Sequence, residues 1–357
     1  MTTTSALRLL GQSLWLDNIT RALIDSGTLA RYIDELGVTG LTSNPTIYDR
    51  AIGGSRDYDA QIAAAAAAGA DAEEIFFGLA LDDLTRAADL FRPVYDATDG
   101  IDGFVSLEVS PELAYDASIT LAEAKRLWTK GGRANLLIKI PGTLEGLAAI
   151  EDAIFAGIPV NVTLLFSPDQ YLACAEAYTR GVERRIAAGL PAYVPSVASL
   201  FISRWDSAVH GKVPADLELQ LGLAVGRRTY ADAVAFFGTD RWAALAAAGA
   251  RPQRLLFAST GTKVATASPT LYVTGLAAPD TVNTIPEETL LAAGAEDVTS
   301  VEPIPADPRE VDAVRARFAA AGIDVDELGS ELQQKGAAAF VTSWMSLLAR
   351  VDEKSGA

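Results

Sequence analysis

The chain of 357 residues holds one cysteine, one histidine and two methionines. A lone cysteine, Cys174, excludes an intrachain disulfide and a Cys-cluster metal site, and fits a reducing compartment. A lone histidine, His210, excludes a His-based metal cluster and gives no convincing Ser-His-Asp triad. Cys174 lies between Ala173 and Ala175 on the apolar side of a helical pattern, and His210 follows the helical pattern of "WDSAV", so both are assigned to structure. Basic residues are also scarce: 29 Lys and Arg face 46 Asp and Glu, for a formal charge of −17. Nucleic-acid binding demands a basic face, and no charge run here is basic. A small phosphorylated ligand stays compatible, because one or two local cations can dominate the field of a cleft.

No apolar run approaches the roughly 18–20 residues of a membrane span. The opening "MTTTSALRLLGQS" lacks the parts of a signal peptide, so a cytoplasmic location is expected. The phosphate-binding pattern GxxxxGK[ST] is missing, and no nucleotide cofactor is implied. What is present is an ordinary enzyme composition, 50% hydrophobic and 21% charged.

Short β-branched segments alternate with longer helical patterns almost throughout, the signature of a parallel sheet covered by helices. Eight candidate strands are read: "LWLD" at 14–17, "GLTSN" at 40–44, "GFVSLEV" at 103–109, "LLIKIP" at 136–141, "PVNVTLLF" at 159–166, "AYVPSVAS" at 192–199, "RLLFAST" at 254–260 and "TLYVTGL" at 270–276. Eight suggests closure into a (β/α)8 TIM-type barrel. Ser167 is the expected N-cap of a helix ending at Gly189, and a second helix is read between Thr143 and Gly157. The spacers at about 45–102 and 205–253 read as additional helices, and "VEPIPADPREV" reads as a surface connection leading to a last helix pair at about 308–350. With no linker and no fixed-period repeat, one domain over 1–357 is the simplest organisation.

Catalytic groups of such barrels sit at the C-terminal ends of several strands. The successive candidate strands offer Asp17, then Thr42-Ser43-Asn44, Glu108, Lys139, Asn161 with Thr163, Ser199 with Arg204 just beyond, and Ser259 with Lys263 shortly after. Burying such charges unpaired costs several kcal/mol each, so they need mutual pairing or a function. The chain has only seven lysines, and one stands in the middle of "NLLIKIPGT". Apolar surroundings favour the uncharged, nucleophilic form of an amine, which can attack a carbonyl. The protonated imine is an electron sink for cleavage of the adjacent carbon–carbon bond, and Asp17 and Glu108 are the candidate acid and base.

These residues resemble those of the transaldolases, Schiff-base enzymes of the pentose phosphate pathway. "LTSNPT" at 41–46 and "LLIKIPGTLEGLAAI" at 136–150 are similar to that family's two characteristic segments. "LWLDNITR", "VSLEVSP" and "NVTLLFS" match in order and spacing, and the resemblance runs from about residue 10 to the last helix. It implies that Lys139 forms the imine, that Asp17 is the acid/base for the C3–C4 bond, and that Glu108 with Thr163 holds the water of imine formation and hydrolysis. It further implies that Asn44 and Asn161 bind substrate hydroxyls, that Ser199 lines the pocket, and that Arg204 grips the phosphate. The best-known branch carries a second phosphate-binding arginine after the seventh strand. Here the text is "ASTGTK", and Lys263 with Ser259 is the expected substitute.

The implied reaction moves a dihydroxyacetone unit from sedoheptulose 7-phosphate or fructose 6-phosphate to glyceraldehyde 3-phosphate or erythrose 4-phosphate. It needs no metal or other cofactor, and the protein would act as a monomer or homodimer. Blander readings stand beside these. Lys139 could reach solvent at a barrel end, and Asp17 and Glu108 could pair or cap. Asn44 before Pro45 could be a turn or N-cap residue, and Arg204 and Lys263 could lie on solvated loops. Two rival functions are an aldolase that releases free dihydroxyacetone and an inactive barrel that only binds sugar phosphates.

Overall fold

In a computed structural model describing residues 1–304 and 309–356, eight parallel strands close into a barrel in sequence order. They are β1 (Ser13–Leu16), β2 (Gly40–Thr42), β3 (Val105–Glu108), β4 (Leu136–Pro141), β5 (Val160–Leu165), β6 (Ser196–Phe201), β7 (Arg254–Ala258) and β8 (Val282–Ile285). Ser13 pairs with Val282 and Trp15 with Thr284, which closes the ring between β1 and β8. β3 through β6 are buried along their whole length, as strands must be when helices cover the sheet. The (β/α)8 architecture expected from the alternation is therefore present.

Two strand readings need correction. "TLYVTGL" is not a strand: Leu271–Gly275 is a short helix, and the eighth strand is "VNTI" at Val282–Ile285. The first segment has the β-branched composition of a strand, whereas the real one is short and half polar. β6 begins only at Ser196, directly after Pro195, and continues past Ser199 to Phe201. Proline cannot donate to a ladder, so the tract holding Pro191 and Pro195 stays outside the sheet.

The helix signals fared better. Ser167 caps Pro168–Ala187 through a capping box with Gln170, and Gly189, at φ 68°, follows its end. Thr143 Oγ1 accepts the Gly146 amide at the start of Gly146–Ala156. The first long spacer holds helices Pro45–Gly54, Asp59–Ala67 and Ala72–Ala97; the second holds Ser203–Val209, Leu221–Phe237 and Asp240–Ala247. The final pair is Arg309–Ala320 and Val325–Ser355, while residues 305–308 of the proline-rich connection lie outside the described residues.

The last helix presents Gly329, Leu332, Gly336, Phe340, Trp344, Leu347 and Val351 as one buried face. Its Gln333 donates to Gly142 O and Leu164 O, both at 3.0 Å, which fastens it across the C-terminal ends of β4 and β5. Cys174 is fully buried and its thiol is pushed up to about 12 by that burial, in keeping with a packing role. His210 is exposed and pairs with Glu218 at 3.0 Å. Among the described residues no helix is long and apolar enough to cross a membrane.

Candidate active site

Register decides which side chains meet. Glu108 lies opposite Lys139, and Lys139 opposite Asn161, so three adjacent strands place three polar groups at one level inside the barrel. Thr163 lies opposite Pro141, one inward position further along β5. All four residues are at most 5% exposed. The head of Lys139 does not reach bulk solvent. Its Nζ donates to Ser43 O at 3.0 Å and lies 3.1 Å from Glu108 Oε2. The sequence suggested an amine in apolar surroundings; the structure supplies an anionic partner as well.

Asp17 stands just beyond β1, half-buried at the mouth, with Thr42 donating to its Oδ1 at 2.9 Å. Thr42 in turn meets Thr284 Oγ1 at 2.6 Å. Burial raises the Asp17 carboxyl above its ordinary range, against the pull of Lys139, the Thr42 hydroxyl and Lys263. Glu108 is also raised, again by burial first, with Lys139 opposing and Asp17 adding to the rise. Two carboxyls thus hold protons more readily than exposed acids do, beside one amine.

Asn161 Nδ2 donates to Ser106 Oγ at 3.0 Å, and Ser199 Oγ donates to Asn161 Oδ1 at 2.7 Å, so Asn161 and Ser199 belong to one buried network. Thr163 Oγ1 and Glu108 Oε1 are buried without a hydrogen-bond partner among the described residues. Buried orphans of this kind call for a reason, and a bound substrate or water supplies one. At Leu164, φ is 61° and the β5–β6 register shifts. Such bulges cluster beside active sites.

Asn44 serves as N-cap of Pro45–Gly54, with its Oδ1 accepting the Ile47 amide at 3.1 Å. The turn-and-cap reading of that residue therefore holds for Oδ1, while Nδ2 makes no hydrogen bond to another described residue. Arg204 does not touch Lys139. Its half-buried guanidinium lies 5.0 Å from the Phe201 ring and 5.8 Å from the Phe340 ring, without a carboxylate partner among the described residues. Burial lowers its pKa. Ser259, at φ 57°, meets Ser203 Oγ at 2.9 Å. Lys263 is exposed on the following loop, near enough for its charge to act on Asp17. The structure thus brings Lys139, Glu108, Asp17, Asn161, Thr163 and Ser199 together; Lys263 acts on Asp17 through its charge, while Arg204 and Ser259 make no hydrogen bond to any of them.

Three hydroxyls join these residues: Thr42, which the sequence offered at the end of its second strand, and Ser106 and Thr284, which it did not. Ser106 was findable, standing two residues before Glu108 and hence on the same face of β3. Thr284 was hidden because its strand was misplaced. Among the described residues no three His, Cys, Asp or Glu side chains gather as a metal site.

A family model described as Transaldolase/Fructose-6-phosphate aldolase matches residues 14–351. A transaldolase of Arthrobacter sp. (strain FB24) is 43% identical over 359 residues, covering 98% of this chain and 97% of its own. One of Acidothermus cellulolyticus is 44% identical over 348 residues, covering 96% and 94%. A third, of Thermobifida fusca, is 43% identical over 358 residues, covering 97% and 96%. With both the family model and these relatives matched along nearly the whole length, the chain belongs to the transaldolase/fructose-6-phosphate aldolase family.

Proposed function

We propose that this chain is a transaldolase that moves a dihydroxyacetone unit from a ketose phosphate to an aldose phosphate through an imine on Lys139. The observation that carries this reading is the Lys139 Nζ enclosed in the barrel, 3.1 Å from Glu108 Oε2, with the Asp17 carboxyl close enough to feel its charge. In the proposed cycle Glu108, whose raised pKa makes it a ready proton acceptor, takes a proton from the Lys139 ammonium. The freed amine attacks C2 of sedoheptulose 7-phosphate or fructose 6-phosphate. The carbinolamine loses water, handled by Glu108 and Thr163, to give the iminium. Asp17 then accepts the C4 hydroxyl proton, the C3–C4 bond breaks, and its electron pair passes into the iminium to give an enamine.

Erythrose 4-phosphate or glyceraldehyde 3-phosphate leaves as the aldose. The three-carbon unit stays covalently bound until the other aldose phosphate accepts it and the steps reverse, a ping-pong sequence. Asn44 Nδ2 and Asn161, with Ser199, are assigned to the hydroxyls of the retained fragment. Arg204 is assigned to the phosphate, because a half-buried guanidinium without a carboxylate partner is stabilised by an incoming anion. Lys263, with Ser259, is assigned as the second phosphate contact. The proposed setting is the cytoplasm, with one domain acting as a monomer or homodimer and sugar phosphates as its partners.

Borohydride added with fructose 6-phosphate is expected to leave a three-carbon adduct on Lys139 and to abolish activity. Mass spectrometry showing Lys139 unmodified would refute the mechanism. Product analysis with and without an acceptor aldose separates transfer from release of free dihydroxyacetone.

A further inference from the structure

The two oxygens of Glu108 face different surroundings. Oε2 meets Lys139, whereas Oε1 is buried without a hydrogen-bond partner among the described residues. A second orphan is Trp344 Nε1 on the C-terminal helix, buried and likewise unpartnered among those residues. Trp344 and Glu108 line the same cavity of about 10 Å³, together with Ser43, Asn44, Tyr48 and Phe76. That is close to the room needed by one water.

An indole N–H can only donate, and a carboxylate oxygen can only accept. The two orphans are therefore chemically complementary, and their residues line one space of water size. The Trp344 ring cannot turn its N–H toward solvent: it is 1% exposed and packed at 5.1 Å from Phe76 and 5.6 Å from Phe77. Leaving both groups unsatisfied carries the full desolvation penalty of each, the larger for the charged one.

We infer that Trp344 is a positioning residue for Glu108: a single water in this cavity accepts the indole N–H and donates to Oε1, holding the carboxylate plane with Oε2 toward Lys139. Thr163 does not line the cavity, so this water is distinct from the one proposed to serve the imine. The inference rests on the Schiff-base reading above and links the last helix of the chain to its chemistry. The charged groups acting on Glu108 are Lys139 from β4 and Asp17 just beyond β1; Tyr48 of Pro45–Gly54 lines the cavity but turns its hydroxyl to Ala80 O, and the last helix brings no charged side chain to the cavity.

Trp344→Phe keeps a ring in place and removes the donor. A hydrogen bond to the ionised form holds a carboxyl's pKa down, so its loss moves the Glu108 titration upward. The pH profile of borohydride-trapped imine formation is expected to shift up by about one unit, with a roughly tenfold loss of rate on its acid limb. In a Glu108→Gln background the same change is expected to cost no further rate. A purely structural Trp344 lowers Tm and leaves the profile in place, and that result overturns the inference. Where Trp344→Phe does not fold, a crystal structure of the unaltered protein decides. A water within about 3.2 Å of both atoms supports the link, and an unbridged pair overturns it. Trapping in the unaltered protein is the control: its failure defeats the Schiff-base reading itself, whereas trapping with an unmoved profile defeats only the role of Trp344.

Discussion

Asp17 and Glu108 share one ammonium but differ in how they meet it. Glu108 touches Lys139 directly, while Asp17 is tied to Thr42 and feels Lys139 through space. That division supports the proposed roles, Glu108 in the proton transfers of the amine and Asp17 in those of the substrate. Asp17→Asn keeps the shape and the acceptor for Thr42 but cannot take a proton. It is expected to slow carbon–carbon cleavage about 10²- to 10⁴-fold and imine formation far less; rapid quench resolves the steps, and equal slowing of both removes the assignment. Stability gives a second readout. The folded-state pKa of Asp17 is raised, so the native state binds more protons than the unfolded chain once pH exceeds the unfolded value of about 3.9. Wild-type stability therefore falls as pH rises through that window. Without substrate, Asp17→Asn is expected to melt higher than wild type near neutral pH, with the gap closing toward pH 4. The three ionisable residues were legible in the sequence because each breaks the apolar pattern of its strand. Ser106 and Trp344 were not, since a hydroxyl is unremarked in a strand and an indole in a helix reads as core.

The C-terminal helix Val325–Ser355 shows what element-level reading recovers and what it misses. Its apolar face was legible from "AAAFVTSWMSLLARV", but periodicity does not say what a face covers. It covers the mouth of the barrel: Gly336 lies over Leu164 and Phe166, Gly329 over Trp205, and Phe340 over Arg204. A Cβ at Gly336 would sit 3.2 Å from both Leu164 Cδ2 and Phe166 Cζ. Gly336→Val thus presses on the bulged segment beside Thr163. Overpacking of this kind costs about 1–3 kcal/mol, and a drop in kcat/KM is expected with it. Ser330→Val, on the exposed side of the same helix, is expected to change neither. Denaturant titration and steady-state kinetics on both variants check this; full activity in a destabilised Gly336→Val would make the helix a scaffold and not a wall of the site. The misread eighth strand has a related cause. "TLYVTGL" carries the β-branched composition but forms one turn of helix, and "VNTI" has little local signal. Its place is fixed by pairing with β7 and with β1, as in Ser13 against Val282, a partner at the far end of the chain that no local pattern announces.

Across the whole molecule the barrel separates reaction from support. Lys139, proposed to form the imine, and the Glu108 and Asp17 carboxyls stand toward the C-terminal ends of the strands. The opposite end is closed by a second polar network, in which Asp102 accepts from Trp15 Nε1 at 2.8 Å, from the Gly103 amide at 3.0 Å and from Ser13 Oγ. Arg254 Nη2 completes it, donating to Ser13 Oγ at 2.7 Å and Thr281 O at 2.8 Å. Ser13 and Trp15 belong to β1, Arg254 to β7 and Thr281 to the approach to β8, so this network ties the strands at the seam where the ring closes. Polar groups at the N-terminal face of such barrels serve stability, not chemistry. Asp102→Ala strips an indole N–H and a hydroxyl of their acceptor in a buried setting. It is expected to cost about 2–4 kcal/mol in a denaturant titration. Below the lowered melting temperature kcat and KM are expected to match wild type, because Asp17, Glu108 and Lys139 draw none of their hydrogen bonds from this end. Were the variant to keep its stability and lose turnover, the division between the two ends of the barrel would be wrong.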